Sequence, residues 1–129
     1  MKEVKRTERG WAGHLRFASG CRFRRNTLLE YGDKKWIIST VGAYVNYDRK
    51  FDAIGHDRFY ETMAFEAEEQ NGYLDADVSR EIPFESEWGI FGETWKEVIE
   101  KYPQVDNVAN DMHEKVVSEL MLRIAESEE

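Results

Sequence analysis

Residues 58–84 read RFYETMAFEAEEQNGYLDADVSREIPF, and this stretch decides the fold. Two runs with recurring aromatic and β-branched residues, Arg58 to Ala67 and Tyr73 to Phe84, flank the pair Asn71-Gly72. In the second run, five apolar side chains share one face and are predicted to be core, namely Leu74, Ala76, Val78, Ile82 and Phe84. The stretch therefore predicts an antiparallel hairpin.

The strand pattern continues upstream of this hairpin. It predicts strands over Trp11 to Ala18, Cys21 to Tyr31 and Lys35 to Val45, with a turn at Ser19-Gly20 and a polar loop from Asn46 to Asp57. Together with the hairpin, these runs indicate an antiparallel sheet of five or six strands.

After Trp88 the apolar period changes from two residues to about 3.6. A short helix is predicted to start at Gly92-Glu93-Thr94 and to end before Pro103. Asp106 or Asn107 is the predicted cap of a longer second helix, whose apolar stripe comprises Val108, Met112, Val116, Leu120 and Ile124. The sequence thus predicts one α+β domain over residues 1–129, strand-rich over 11–90 and helical over 92–127.

The second helix carries more apolar surface than this stripe, because Val117 and Met121 widen it. One interpretation is an oligomer interface, which predicts a homo-dimer or a larger homo-oligomer. The other is that a large sheet in the same chain covers the whole face.

Composition favours a globular protein with a packed core and a polar surface, since 41% of the 129 residues are hydrophobic and 34% are charged. No apolar run is long enough for a membrane span, and the single cysteine fits a reducing compartment. We therefore predict a cytoplasmic protein. The net charge is −8, yet the first 35 residues are basic, which suits a small anionic ligand, or self-association of opposite surfaces, better than duplex nucleic acid.

Catalytic and cofactor signals are weak in this sequence. His14, His56 and His113 lie far apart and lack metal-ligand spacing, and no glycine-rich phosphate loop occurs. Asp75 and Asp77 share a strand face, as acid-base carboxylates would, but a solvated strand face has the same pattern. We predict a protein that is not an enzyme and that has no metal or cofactor.

Three segments are candidates for ligand binding. In the first, guanidinium and polar groups on one strand suit phosphate and base recognition, the residues being Arg22, Arg24, Arg25, Asn26 and Thr27. The second contains Arg58 and Tyr60, and the third combines Phe84 and Trp88 with Asn107 and Asn110 at a helix start. The alternatives are an exposed basic strand, a core strand with one ion pair, and core packing with a helix cap.

Six runs carry a resemblance to a known family: Glu8 to His14, Cys21 to Thr27, Ser39 to Gly42, Tyr60 to Phe65, Asp75 to Val78 and Asn110 to Glu114. In these runs the chain resembles the first Thoeris anti-defence family of phage and prophage proteins. Such proteins act as sponges that sequester the cyclic ADP-ribose signal of a bacterial immune system without cleaving it.

The resemblance implies a sheet followed by C-terminal helices, assembly into dimers or larger oligomers, and action inside the host bacterial cell. It places Phe84 against an adenine or ribose and Asn107 or Asn110 on polar ligand edges. Trp11 and His14, in the first of the six runs, are further candidate ligand-binding residues. Residues 92–105 look like an insertion relative to the family.

Two other functions compete with a cyclic nucleotide sponge. The acidic remainder of the chain could imitate a phosphate backbone and inhibit a host nucleic-acid-binding protein. A small nucleotide hydrolase would depend on Asp75, Asp77 and His14.

Overall fold

The computed structural model describes residues 3–10, 14 and 18–127. These residues form seven strands and then two helices. The strands are β1 (Lys5–Glu8), β2 (Cys21–Tyr31), β3 (Lys34–Val45), β4 (Phe51–Asp52), β5 (Arg58–Gln70), β6 (Tyr73–Glu81) and β7 (Gly89–Phe91). The helices are α1 (Trp95–Lys101) and α2 (Val105–Ser127), and a 3-10 turn covers Ala18–Gly20.

The strands form one antiparallel sheet in the order β1-β2-β3-β5-β6. The short strand β4 pairs with the end of β3, and β7 pairs with β5 on the edge that β6 also uses. The predicted α+β architecture, an antiparallel sheet followed by two C-terminal helices, is confirmed. Because β4 and β7 contain only two and three residues, their sequences show no clear alternation.

The predicted hairpin at Asn71-Gly72 joins β5 to β6 and is confirmed. Both turn residues have positive φ, 54° for Asn71 and 84° for Gly72, as a tight hairpin turn requires.

The predicted inward face of β6 is wrong at Val78, which is 71% exposed. The pairing shifts register between Phe65 and Ala67 of β5, whose partners are Glu81 and Ala76. Residues 77–80 therefore bulge, and the backbone and hydroxyl of Ser79 donate to the Asp77 carboxylate inside this bulge. The strand also ends at Glu81 rather than at Phe84.

Strand β1 was not predicted, because all four of its residues are exposed and show no apolar alternation. It pairs with β2 from Lys5, opposite Glu30, to Glu8, opposite Thr27. The predicted strand over 11–18 falls largely outside the described residues, and Ala18–Gly20 form the 3-10 turn that leads into β2.

Both helices start beside the predicted caps. The Thr94 hydroxyl accepts the backbone N–H of Glu97 and caps α1, which ends two residues before Pro103 as predicted. The longer helix α2 begins at Val105, just before the predicted Asp106 or Asn107. Neither helix in the described part of the chain is long and apolar enough to span a membrane.

Helix α2 lies on one face of the sheet. Its Val116, Val117, Leu120 and Ile124 form a core cluster with Leu29, Trp36, Ile38 and Ala64 of the strands. Val117 is fully buried and Met121 packs partly against this cluster, so both side chains that widen the stripe lie against the sheet of the same chain. Leu122, 62% exposed, is the large apolar side chain that α2 leaves open. Assembly itself stays a prediction.

Candidate functional site

A cavity of about 540 Å³ lies on the outer edge of β5, between its pairing with β7 and its pairing with β6. On one side the Thr62 N–H donates to the Trp88 carbonyl at 2.7 Å, and on the other the Ile82 N–H donates to the Ala64 carbonyl at 2.8 Å. The next residue after Ile82 is Pro83, which has no N–H to donate, and at this point the segment that follows β6 stops pairing with β5. The lining residues are Arg58, Glu61, Thr62, Met63, Glu81, Pro83, Phe84 and Trp88.

Two aromatic rings form the apolar part of the cavity. Trp88 is 43% exposed and meets Phe91 edge-on, with 5.4 Å between ring centroids. Phe84 is half-buried and packs against the core cluster under α2. One ring is therefore fixed by the core, while the other is open to solvent.

The guanidinium of Arg58 provides the positive charge of the cavity. Its Cζ lies 5.8 Å from the centroid of the Trp88 ring, a cation–π contact. Its Nε lies 2.8 Å from Glu61 Oε2, yet this buried Nε has no hydrogen-bond partner. The contact is therefore an ion pair in which the Nε–H bond does not point at the carboxylate oxygen. A Cβ at Gly55 would lie 2.4 Å from an Arg58 terminal nitrogen, so only glycine leaves room for this placement.

A series of buried polar contacts connects Arg58 to other side chains on the sheet face that is opposite α2. The other carboxylate oxygen of Glu61 lies 2.8 Å from His14 Nε2, and His14 Nδ1 lies 2.8 Å from the Ser39 hydroxyl. The His14 and Glu61 side chains are 6% and 4% exposed, and Ser39 is also buried. Arg58, the cation at the cavity, is thus connected to a histidine 44 positions earlier in the sequence.

Strand register places two more predicted residues on this face. Arg24 and Glu61 are both partners of Val41, and Asn26 and Met63 are both partners of Ser39. Asn26 also accepts a 3.3 Å hydrogen bond from Arg9. The structure therefore groups four predicted site residues on one sheet face, namely His14, Arg24, Asn26 and Arg58.

Other predicted residues lie elsewhere, at the start of α2. Arg22 and the Tyr60 hydroxyl both donate to the Asp106 carboxylate at 2.8 Å, and the Arg22 guanidinium stacks over Phe51 and Trp95. Burial and the Asp106 carboxylate raise the pKa of Tyr60 far above its usual value. These contacts anchor α2 to the sheet.

A third group lies between β1, β2 and α2. Arg25 donates to Asn110 at 2.8 Å and to the carboxylates of Glu8 and Glu114, and the Thr27 hydroxyl contacts Glu8. Asn107 donates to Gln104, the residue just before α2. Neither asparagine lines the cavity that contains Phe84.

Sequence reasoning missed the buried network around His113. This fully buried ring lies 2.7 Å from the hydroxyls of Thr27 and Thr40, and Thr40 lies 2.6 Å from Thr62, which lines the cavity. Burial lowers the pKa of His113 to about 4, so the ring is neutral at pH 7. The sequence did contain a signal for this burial, because His113 lies four residues from both Ala109 and Val117 and therefore shares their face of the helix.

The residues of the hydrolase alternative do not form one site within the described part of the chain. His14 contacts Ser39 and Glu61, whereas Asp77 accepts hydrogen bonds from Ser79 on β6. Asp75 is exposed on the same edge strand. No group of three metal-ligating side chains occurs among the residues that the structure describes. Trp11 lies outside them.

No protein-family model matches this chain, and no curated protein or solved structure is detectably similar to it. The geometry of the cavity and the resemblance carried by the six sequence runs are therefore the grounds for assigning a function.

Proposed function

We propose that this protein binds a nucleotide of the cyclic ADP-ribose type in the cavity on β5 and sequesters it without changing it. The observation that carries the proposal is the grouping of Phe84, Trp88 and Arg58 around one cavity. All three residues were candidates from sequence alone, in two separate segments.

The size and the aromatic lining of the cavity support a nucleotide base as occupant. Ligand cavities commonly enclose about 300 to 1,000 Å³, and the 540 Å³ here falls in that range. A base stacked on an aromatic side chain gains about 1 to 3 kcal/mol, and Trp88 offers an open ring for this contact. The more buried Phe84 supplies a second apolar wall.

The charges of the lining suit the base and ribose better than two phosphates. Arg58 is the cation, while Glu61 and Glu81 are carboxylates. The Glu61 carboxylate can accept hydrogen bonds from an amino or hydroxyl group. Arg58 can then contact one phosphate at the cavity mouth, because its guanidinium already lies over the exposed Trp88 ring.

Burial of the hydrogen-bonded Ser39 and His14 supports retention rather than cleavage. A nucleophilic serine must reach its substrate, but Ser39 is buried and does not line the cavity.

Native mass spectrometry of the protein mixed with cyclic ADP-ribose, ADP-ribose and adenosine tests this function. We expect a mass increase equal to the intact cyclic nucleotide, and release of the same unchanged compound after heat denaturation. Recovery of a hydrolysed product would show an enzyme, and the absence of any complex would contradict nucleotide binding.

The exposed edge of the sheet favours a second candidate, inhibition of a host nucleic-acid-binding protein. Strand β6 exposes Asp75 and Glu81, and Glu68 and Glu69 are exposed on the neighbouring β5. This acidic edge predicts a salt-sensitive complex that is lost in the variant with Asp75→Lys and Glu81→Lys. Equal capture of a host protein by this variant and by the wild type would exclude the edge as the contact.

A further inference from the structure

Glu61 is shared between two groups that can both be cations. One carboxylate oxygen lies 2.8 Å from Arg58 Nε and the other lies 2.8 Å from His14 Nε2. The side chains of Glu61 and His14 are nearly inaccessible, whereas that of Arg58 is 28% exposed and faces the cavity. A change of charge on His14 therefore acts on Arg58 through the carboxylate between them.

The hydrogen-bond partners define the proton positions while His14 is neutral. The Glu61 carboxylate can only accept, so Nε2 of His14 carries the proton and donates to it. Nδ1 then accepts from the Ser39 hydroxyl. A second proton, taken up from solvent at Nδ1, makes the ring a cation and requires the Ser39 hydroxyl to turn and accept.

We propose that His14 is a positioning residue that controls how strongly Glu61 holds Arg58. When His14 is protonated, it neutralises Glu61, and the Arg58 guanidinium becomes available to an anionic group at the cavity mouth. Because the Arg58 Nε–H is not directed at Glu61, the attraction between the two groups is mainly one of charge, and it weakens when protonated His14 neutralises the carboxylate. The anion would be a phosphate, and this part of the inference rests on the proposed function.

Other charged or titratable groups lie on the same sheet face as His14 and Glu61. Arg24 shares Val41 as a strand partner with Glu61, and Arg9 contacts Asn26. Cys21 is buried nearby, and burial raises the pKa of its thiol, so it stays uncharged. Phe65, whose ring centroid lies 6.1 Å from that of His14, is uncharged. Among the described groups that contact His14 directly, Glu61 is the charged one.

A nuclear magnetic resonance titration without ligand tests the coupling itself. We expect the side-chain Nε–H resonance of Arg58 to shift as the pH is lowered, with the same pH dependence as the His14 ring resonances. The shift should vanish in His14→Gln and persist in His56→Gln, which alters an exposed histidine that does not line the cavity. Different midpoints in the wild type would overturn the proposal, even if His14→Gln does not fold.

The affinity for ADP-ribose, whose diester phosphates stay charged over the titration range, tests the consequence. Lowering the pH until the His14 ring resonances report protonation should raise the affinity roughly tenfold, as for one added charge-assisted contact. Adenosine affinity should stay constant, and His14→Gln should abolish the change. An unchanged ADP-ribose affinity would overturn the inference while leaving the proposed function intact. If no nucleotide binds at any pH, the proposed function fails, and the ligand-free titration still decides the coupling.

Discussion

At the scale of single residues, the cavity depends on where Arg58 is held. Its guanidinium lies beside Gly55, next to the Glu61 carboxylate and over the Trp88 ring. Arginine, glycine and glutamate at these positions carry no recognisable motif, so sequence alone marked Arg58 as a candidate without showing what positions it.

Gly55→Ala is predicted to displace Arg58 while the protein stays folded. The added Cβ would meet the end of a flexible side chain, which can move away into solvent. We expect cyclic ADP-ribose affinity to fall about tenfold, comparable to the loss of one charge-assisted contact, as measured by calorimetry. Gly20→Ala is the matched control, because its Cβ would meet the ring of Tyr44, which does not line the cavity. Equal affinities of the two variants would contradict the assigned role of Arg58.

His113 should make the folded protein sensitive to acid. Its pKa is about 4 in the folded protein against the ordinary 6.5, because burial disfavours the charged ring. The unfolded chain therefore takes up a proton first, so the stabilising contribution of the neutral ring is lost as the pH falls from 6.5 to about 4.

Urea unfolding at about pH 7 and at about pH 4.5 measures this loss, which should reach about 2.5 kcal/mol at the acid end. Glu114, whose pKa is lowered to about 2 by Arg6, adds a loss with the same sign. The contribution of His113 is therefore the part that disappears in His113→Asn. An identical pH dependence of stability in that variant would contradict a neutral buried ring.

At the scale of elements, the sequence predicted strands and helices wherever alternation or a stripe was present. Strands β2 and β3 and the hairpin turn follow from β-branched runs and from Asn71-Gly72. Strand β1 could not be predicted, because its stability comes from pairing with β2 and from ion pairs between Arg6 and the carboxylates of Glu8 and Glu114. The bulge after Ala76 likewise depends on pairing with β5.

Substitutions at two residues of α2 distinguish the buried side of the helix from its exposed side. Val117→Glu places a charge in the core cluster and should unfold the protein, with a loss of several kcal/mol. Leu122→Glu lies on the exposed side and should change the free energy of unfolding by less than about 0.5 kcal/mol. Thermal melts compare the two variants, and a Val117→Glu protein as stable as wild type would refute the packing of α2.

Light scattering on the same Leu122→Glu protein examines the predicted oligomer. If α2 contributes to the interface, its remaining exposed apolar side chain is the position to disturb. A wild-type oligomer that persists in this variant would place the interface away from Leu122.

At the scale of the whole molecule, the basic N-terminal quarter is partly neutralised within the chain. Arg6 and Arg25 contact Glu114, and Arg22 contacts Asp106, so three of its arginines bind acids of α2. Sequence counting showed the charge asymmetry but not this pairing, because the partners lie 84 to 108 positions apart. The predicted phosphate site on β2 is consequently divided between the two faces of the sheet.

The sequence predicted which residues belong to the candidate site, but it did not predict which of them lie together. Phe84, Trp88 and Arg58 meet because β5 changes partner from β7 to β6 beside Pro83, and no local pattern encodes that change. His14 contacts Glu61 across 47 positions of sequence. Such contacts depend on register, which is determined by the whole sheet.

Calorimetric titration of cyclic ADP-ribose into wild type, Trp88→Ala and Tyr47→Ala tests nucleotide binding in the β5 cavity most directly. Tyr47 is a fully exposed aromatic residue that does not line the cavity, so its loss should leave the affinity unchanged. Loss of the Trp88 ring removes the proposed stacking surface and should weaken binding about tenfold or more. Wild-type binding that is unaffected by Trp88→Ala, or the absence of binding by the wild type, would contradict the proposal.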